Sequence, residues 1–146
     1  MQKTKKMKTE VILTEDSKFS LDDFTRSTTA EKLKIKGQRI ITVGTAMRID
    51  ELHTNVIVPL LKKFPELEIT SGYRDYKTNI AVGGATRSQH LFGEAVDITA
   101  KNLTDLWYTI QEMDIDQAIR YKTHIHVSYR NSKINRKQFI DKTLNK

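Results

Sequence analysis

The sequence predicts an α+β domain: a small central, mostly antiparallel sheet, helices packed on one side, and a surface cleft. Three observations lead there. A chain of 146 residues has the size of one domain, and at that size folding buries roughly 70% of the surface, enough for an ordinary core. Helical periodicity over 46–64 and 103–113 is interleaved with short β-branched runs at 67–70, 95–99 and 124–129. No repeat and no low-complexity tract breaks the pattern.

Taken in order, residues 1–19 read as a basic arm, with a lysine-rich start and one short strand around Val11-Ile12-Leu13. Ser20-Leu21-Asp22-Asp23 and Thr28-Thr29-Ala30-Glu31 have the capping-box form, in which a hydroxyl accepts an early helix amide and an acid reaches back. They predict short helices near 21–25 and 29–34, ended by Gly37. Ile40-Ile41-Thr42-Val43 reads as a short strand stopped by Gly44. Leu52, Val56, Leu60 and Phe64 recur every fourth residue, and Ile57 and Leu61 widen the stripe into an amphipathic helix. Pro59 should kink or restart that helix, and Pro65 should stop it. Leu67-Glu68-Ile69-Thr70 predicts a strand and 71–93 a loop. Ala95–Thr99 predicts a second strand. Leu103, Leu106, Trp107, Ile110 and Met113 predict a helix with Trp107 in the core. His124–Tyr129 predicts a third strand, and 131–146 a basic tail with one apolar pair, Phe139-Ile140.

Composition narrows the chemistry. Hydrophobic residues are 38% and charged residues 29%, too apolar for a disordered chain and too charged for a membrane protein. No apolar run approaches the roughly 20 residues of a bilayer span, and the start lacks a signal peptide's apolar segment. The absence of cysteine excludes a disulfide framework, thiolate catalysis and any Cys-ligated zinc or iron–sulfur centre. Any metal must be held by histidine and carboxylate. A formal charge of +7 favours polyanionic partners: nucleic acid, an anionic membrane or an anionic wall polymer.

Of four histidines, His53 reads as a surface residue on its helix. His90 precedes Asp97 by seven positions, and His124 and His126 share one face of a strand because side chains two apart project together. Two imidazoles and a carboxylate leave a fourth tetrahedral position open, as in catalytic zinc sites. On spacing alone, hydrogen-bonded histidines near turns fit equally well.

The surrounding run weighs between these readings. Ser71-Gly72-Tyr73-Arg74, Asn79, Val82-Gly83-Gly84-Ala85, Ser88-Gln89-His90-Leu91-Phe92-Gly93-Glu94-Ala95-Val96-Asp97 and Ile125-His126-Val127-Ser128-Tyr129 stand in order. With Phe24–Ala30 and Val58-Pro59-Leu60 upstream, this closely resembles the zinc D-alanyl-D-alanine carboxypeptidase family, whose relatives include phage endolysins and the zinc-site fold of Hedgehog proteins. The resemblance implies a zinc peptidase domain over 20–130, with Zn2+ held by His90, Asp97 and His126. It places His124 beside the metal as a hydrogen-bonding or proton-moving group, and Arg74 as the group steadying substrate or intermediate. Tyr73 and Ser88 would adjoin substrate, although Ser88 has the alternative of merely turning its loop. Arg120 would add a second cation if it shared the strand face of His126. Tyr121 and Tyr129 flank that strand and either line the cleft or pack away from it.

One departure stands out. The family places Glu or Asp three to six residues before the last histidine, where this chain has Arg120-Tyr121-Lys122-Thr123. Loss of a general base commonly costs 10²–10⁴-fold in rate. Asp116 or Glu94 reaching in from a loop, or His124 itself, would be the substitute. The expected function is zinc-dependent cleavage of peptidoglycan stem peptides, as a D-Ala-D-Ala carboxypeptidase or an L-Ala-D-Glu-type endopeptidase in phage or bacterial cell-wall lysis. The expected protein is a monomer, made in the cytoplasm and acting on the wall after export by a lysis system or as part of a virion. The first rival is a zinc-retaining binding or virion structural protein of the same fold. Nucleic-acid binding explains the lysines but not the histidine–aspartate set.

Overall fold

The computed structural model describes residues 13–144, so the lysine-rich start and Val11-Ile12 lie outside the described residues. Leu13 is in no strand but packs against the core. The arm that follows is tied down. Thr14 donates to Asp50 from its backbone at 2.8 Å, Ser17 Oγ lies 2.7 Å from His53 Nε2, and Phe19 is buried.

Helix α1, Leu21–Thr25, starts as predicted: the Ser20 backbone N–H donates to the Asp23 carboxylate at 2.8 Å. Helix α2, Thr28–Leu33, is capped by Ser27, whose Oγ accepts from the Ala30 amide at 3.1 Å, and closes on Lys34 in the left-handed region. Gly37 falls instead in a 3-10 turn, Lys36–Arg39.

The expected strand at 40–43 is absent. Thr42 is a helix N-cap, its Oγ accepting from the Thr45 amide at 3.1 Å, and Val43 opens α3, Val43–Leu52. A good cap outweighs the weak β-preference of Ile and Val when no neighbouring strand is there to pair. The helix continues through a π turn, His53–Ile57, into α4, Val58–Lys63. Pro59, with no N–H to donate, sits just after the widened turn, which absorbs the lost bond without ending the helix. Leu52, Val56, Ile57, Leu60 and Phe64 are buried along it. His53 is buried too, edge-on to Phe24 with ring centroids 5.7 Å apart, which corrects its expected surface position. Four positions after Ile49 and three before Val56, it falls on the same buried stripe of the helix.

Among the described residues the sheet has five strands: β1 Glu68–Ser71, β2 Ala95–Thr99, β3 Gln117–Arg120, β4 Ile125–Ser128 and β5 Gln138–Asp141. Their order is β1-β2-β4-β3-β5, antiparallel except for the β3–β5 pair. Side chains alternate. Val96, Ile98, Ala118, Ile125 and Val127 are buried on the core face, while Asp97, Ile119 and His126 take the other. Helix α6, Leu103–Ile110, covers part of the core face through Leu106, Trp107 and Ile110, with Trp107 edge-on to Phe139.

Two strands and a helix were not foreseen. A short helix, α5 Tyr76–Ala81, lies inside the expected 71–93 loop. Strand β3 holds only Gln-Ala-Ile-Arg, and the expected tail supplies β5. The chain after 130 is therefore part of the sheet.

Candidate metal centre

His90 sits on a single 3-10 turn, Gln89–Phe92, whose start is capped by Ser88 Oγ accepting from the His90 amide at 3.2 Å. The residue is 2% exposed. Nδ1 lies 2.7 Å from the Gly72 carbonyl oxygen, and since that oxygen only accepts, Nδ1 carries the proton. Gly72 makes this approach feasible: a Cβ there would collide with the Phe24 carbonyl.

The other nitrogen is left exposed to a carboxylate. His90 Nε2 is buried without a hydrogen-bond partner and lies 3.3 Å from Asp97 Oδ1. With Nδ1 protonated, a nitrogen lone pair faces a carboxylate oxygen. Asp97 and His126 are paired across β2 and β4, which brings His126 Nδ1 to 3.1 Å from the same Oδ1. The ligand atoms of His90, Asp97 and His126 all fall within 4.8 Å of one another. Burial pushes the Asp97 carboxyl up, but the His126 and His90 rings beside it outweigh this and hold it well below the usual carboxylate range. Burial pushes the His90 imidazolium pKa down, favouring the neutral, ligating ring.

These observations fit a bound divalent metal. Two imidazole nitrogens and one carboxylate oxygen suit zinc with an open position. The Nδ1–H to carbonyl bond of His90 is the outer contact that metal-ligating histidines carry. The unpartnered Nε2 facing a carboxylate is stabilised by a cation between them and is repulsive without one.

The cluster opens into a cleft of about 530 Å³. Arg74 Nη2 lies 3.8 Å from Asp97 Oδ2, and Nη1 donates to Asn79 Oδ1 at 3.0 Å. Gly84 leaves room for this bond, since a Cβ there would collide with Asn79 and press on Arg74. His124 lines the cleft, its Nδ1 2.9 Å from Thr123 Oγ1 and its ring stacked on Tyr121 at 4.8 Å. Ser88 both caps its turn and lines the cleft, and Tyr121 lines it as well.

Other expected residues lie elsewhere. Tyr73 packs against the core outside the cleft lining, and Tyr129 is buried in the core. Arg120 does not share the face of His126. In register, His126 opposes Ile119, and Arg120 opposes the buried Ile125. Its guanidinium donates to Thr104 Oγ1 of α6 at 2.8 Å and pairs with Asp141 at 3.5 Å, so it adds no cation to the cleft. Neither substitute carboxylate lines the cleft. Asp116 is enclosed and held by Arg136 and Gln89, and Glu94 accepts from Gln89 at 3.1 Å. Among the described residues Asp97 is the only carboxylate in the lining. Arg87, Arg136, Gln117 and Ile119 also line it and were not foreseen. Alternation along β3 would have found Ile119 had the strand been recognised; Arg136 is one cation in a basic stretch, with no local signal.

An α+β domain with a His-Asp-His cluster on the open face of its sheet, at the head of a cleft, has the make-up of a metallohydrolase. The family model described as Peptidase M15 matches residues 17–128, and the chain belongs to that family, the zinc-dependent D-alanyl-D-alanine carboxypeptidase-like peptidases that its motifs resemble. A search of curated proteins found no match.

Proposed function

We propose that the chain is a zinc-dependent peptidase that cuts peptidoglycan stem peptides, removing a terminal D-alanine or cutting within the stem, in cell-wall lysis. The observation that carries this reading is the unpartnered His90 Nε2 facing Asp97 beside His126, at the head of a cleft of about 530 Å³. His90, Asp97 and His126 would hold zinc, which would supply a Lewis acid for a peptide carbonyl and for water at neutral pH. Arg74, fixed by Asn79, donates to the oxyanion that develops on the carbonyl or to a substrate carboxylate. His124, held by Thr123 and the Tyr121 ring, moves the proton that the family's missing acid would have moved. The working form is a monomer, reaching the wall through a lysis system or on a virion.

The lack, among the described residues, of any cleft carboxylate besides Asp97 favours one alternative, a zinc-retaining binding or virion structural protein. Incubating the zinc-loaded protein with purified peptidoglycan, with mass spectrometry of the supernatant, separates the two. Released D-alanine or stem fragments support the peptidase. One zinc per chain with no released product leaves the binding protein.

A further inference from the structure

Beyond the family match the chain returns to the cleft. The backbone turns at Asn131–Asn135, and Arg136 begins the approach to β5. The backbone beside Arg136 is fixed on both sides. Lys137 is held in the left-handed region, its amide donating to the Ile115 carbonyl at 3.1 Å, and the Gln138 amide donates to the Asp116 carbonyl at 3.0 Å.

The Arg136 side chain is fixed as well. The enclosed Asp116 carboxylate accepts from the Arg136 amide at 2.9 Å, from Nε at 3.1 Å and from Nη2 at 2.8 Å. Gln89, adjacent to His90, donates to the same carboxylate at 3.0 Å. This occupies one edge of the guanidinium and leaves Nη1 without a partner among the described residues, on a side chain 51% exposed at the cleft wall. A guanidinium held in this way offers its remaining N–H groups at a set angle, suited to the planar fork of a carboxylate.

The charge around the cleft is one-sided. Arg74, Arg87 and Arg136 line it, and among the described residues Asp97 is the one lining carboxylate; Asp116, outside the lining, pairs with one edge of Arg136, while Arg87 makes no hydrogen bond or ion pair with any described residue. Arg74 stands against Asp97, at the reacting end. Arg87 and the Nη1 edge of Arg136 are therefore left to meet a different anionic group.

We propose that Arg136, held by Asp116, is a specificity residue that binds a second carboxylate of the peptide substrate, apart from the group served by Arg74. This rests on the peptidase reading above. It predicts a preference for stem peptides with a free carboxylate away from the scissile bond.

The test compares one peptidoglycan stem peptide with versions in which its carboxylates are converted one at a time to carboxamides. Both hydrolysis by the zinc-loaded full chain and calorimetric binding are measured. Wild type should discriminate against one carboxamide by about tenfold or more, the scale of a hydrogen bond to a charged group. In Arg136→Gln that ratio should fall towards one, while discrimination at the other carboxylates stays. Because Arg136→Gln leaves a buried charge unpaired, the double variant Asp116→Asn/Arg136→Gln, which buries no charge, is measured beside it and should lose the same ratio. Unchanged discrimination in a folded variant overturns the proposal, as does a wild type indifferent to every carboxamide. If no peptide is cut, the peptidase reading fails, and the binding ratios decide the Arg136 site by the same criteria.

Discussion

His90 and His126 reach Asp97 from unlike pieces of backbone, a capped 3-10 turn and a central strand, so each is positioned independently of the other. His124 is two residues from His126 but bonds to Thr123 and stacks on Tyr121. Replacing His90 or His126 by Ala should therefore empty the site, read as a fall from near one zinc per chain by elemental analysis. Replacing His124 by Ala should keep most of the metal and lower hydrolysis by about 10²-fold or more. Equal metal loss in all three variants would refute the division of roles. The vacant acid position has its own test. Ile119 faces the cleft directly across from His126, whereas Arg120 is turned to α6 and bonded there. Ile119→Glu should raise turnover, by up to about 10²-fold if the carboxylate takes over proton transfer. Arg120→Glu should raise nothing and lower the melting temperature. A gain from Arg120→Glu alone would show the strand faces are assigned the wrong way round.

At the level of elements, β5 contributes more to the fold than its short polar sequence shows. It pairs in parallel with β3, packs Phe139 on Trp107, and leads out of the Arg136–Asp116 contact. Burial pushes the Asp116 carboxyl up, but the hydrogen bonds from Arg136 and Gln89 hold it below its ordinary value. A depressed folded pKa means the unfolded chain takes the proton first. The stability Asp116 contributes is thus complete above the unfolded value of about 3.9 and is lost as pH falls through the lower folded value. Asp116→Asn should lower the melting temperature at neutral pH by several degrees, from ~1–3 kcal/mol at roughly 2–4 °C per kcal/mol. Its melting temperature should then change less than that of wild type as the pH is taken from neutral to below about 4. Parallel pH curves for the two proteins would remove Asp116 from this role. The same elements mark what the sequence made legible. The α3–α4 stripe, β1, β2 and β4 announce themselves through apolar periodicity, and the His-Asp-His set falls on or beside them. Strands β3 and β5 each carry two adjacent apolar residues between polar ends, without the apolar–polar alternation of 67–70, and are strands because a neighbour pairs with them. Without β3 the face of Arg120 was undetermined, and without β5 Arg136 had no reason to approach the cleft. The exposed Ile40 and Val43 misled in the opposite direction, where a Thr42 cap decided the structure.

Across the whole molecule the relevant property is charge. The chain carries a formal +7, and four lysines against one glutamate fall within residues 1–12. Opposite charges attract over about 10 Å at 0.1 M salt and over only about 3 Å at 1 M. Retention on anionic wall polymer should accordingly depend on salt, while cutting a short soluble peptide should depend on the cleft. The protein should sediment with purified walls at low salt and be released as the salt is raised towards 1 M. A chain lacking residues 1–12 should be released at a lower salt concentration, because nearly half of the net charge is gone. Its hydrolysis of a soluble stem peptide should match that of the full chain, since residues 17–128 carry the family match and the cleft lies among the described residues. Wall binding that is indifferent to salt, or identical with and without residues 1–12, would show that the wall is recognised through the cleft and not through the charge of the chain.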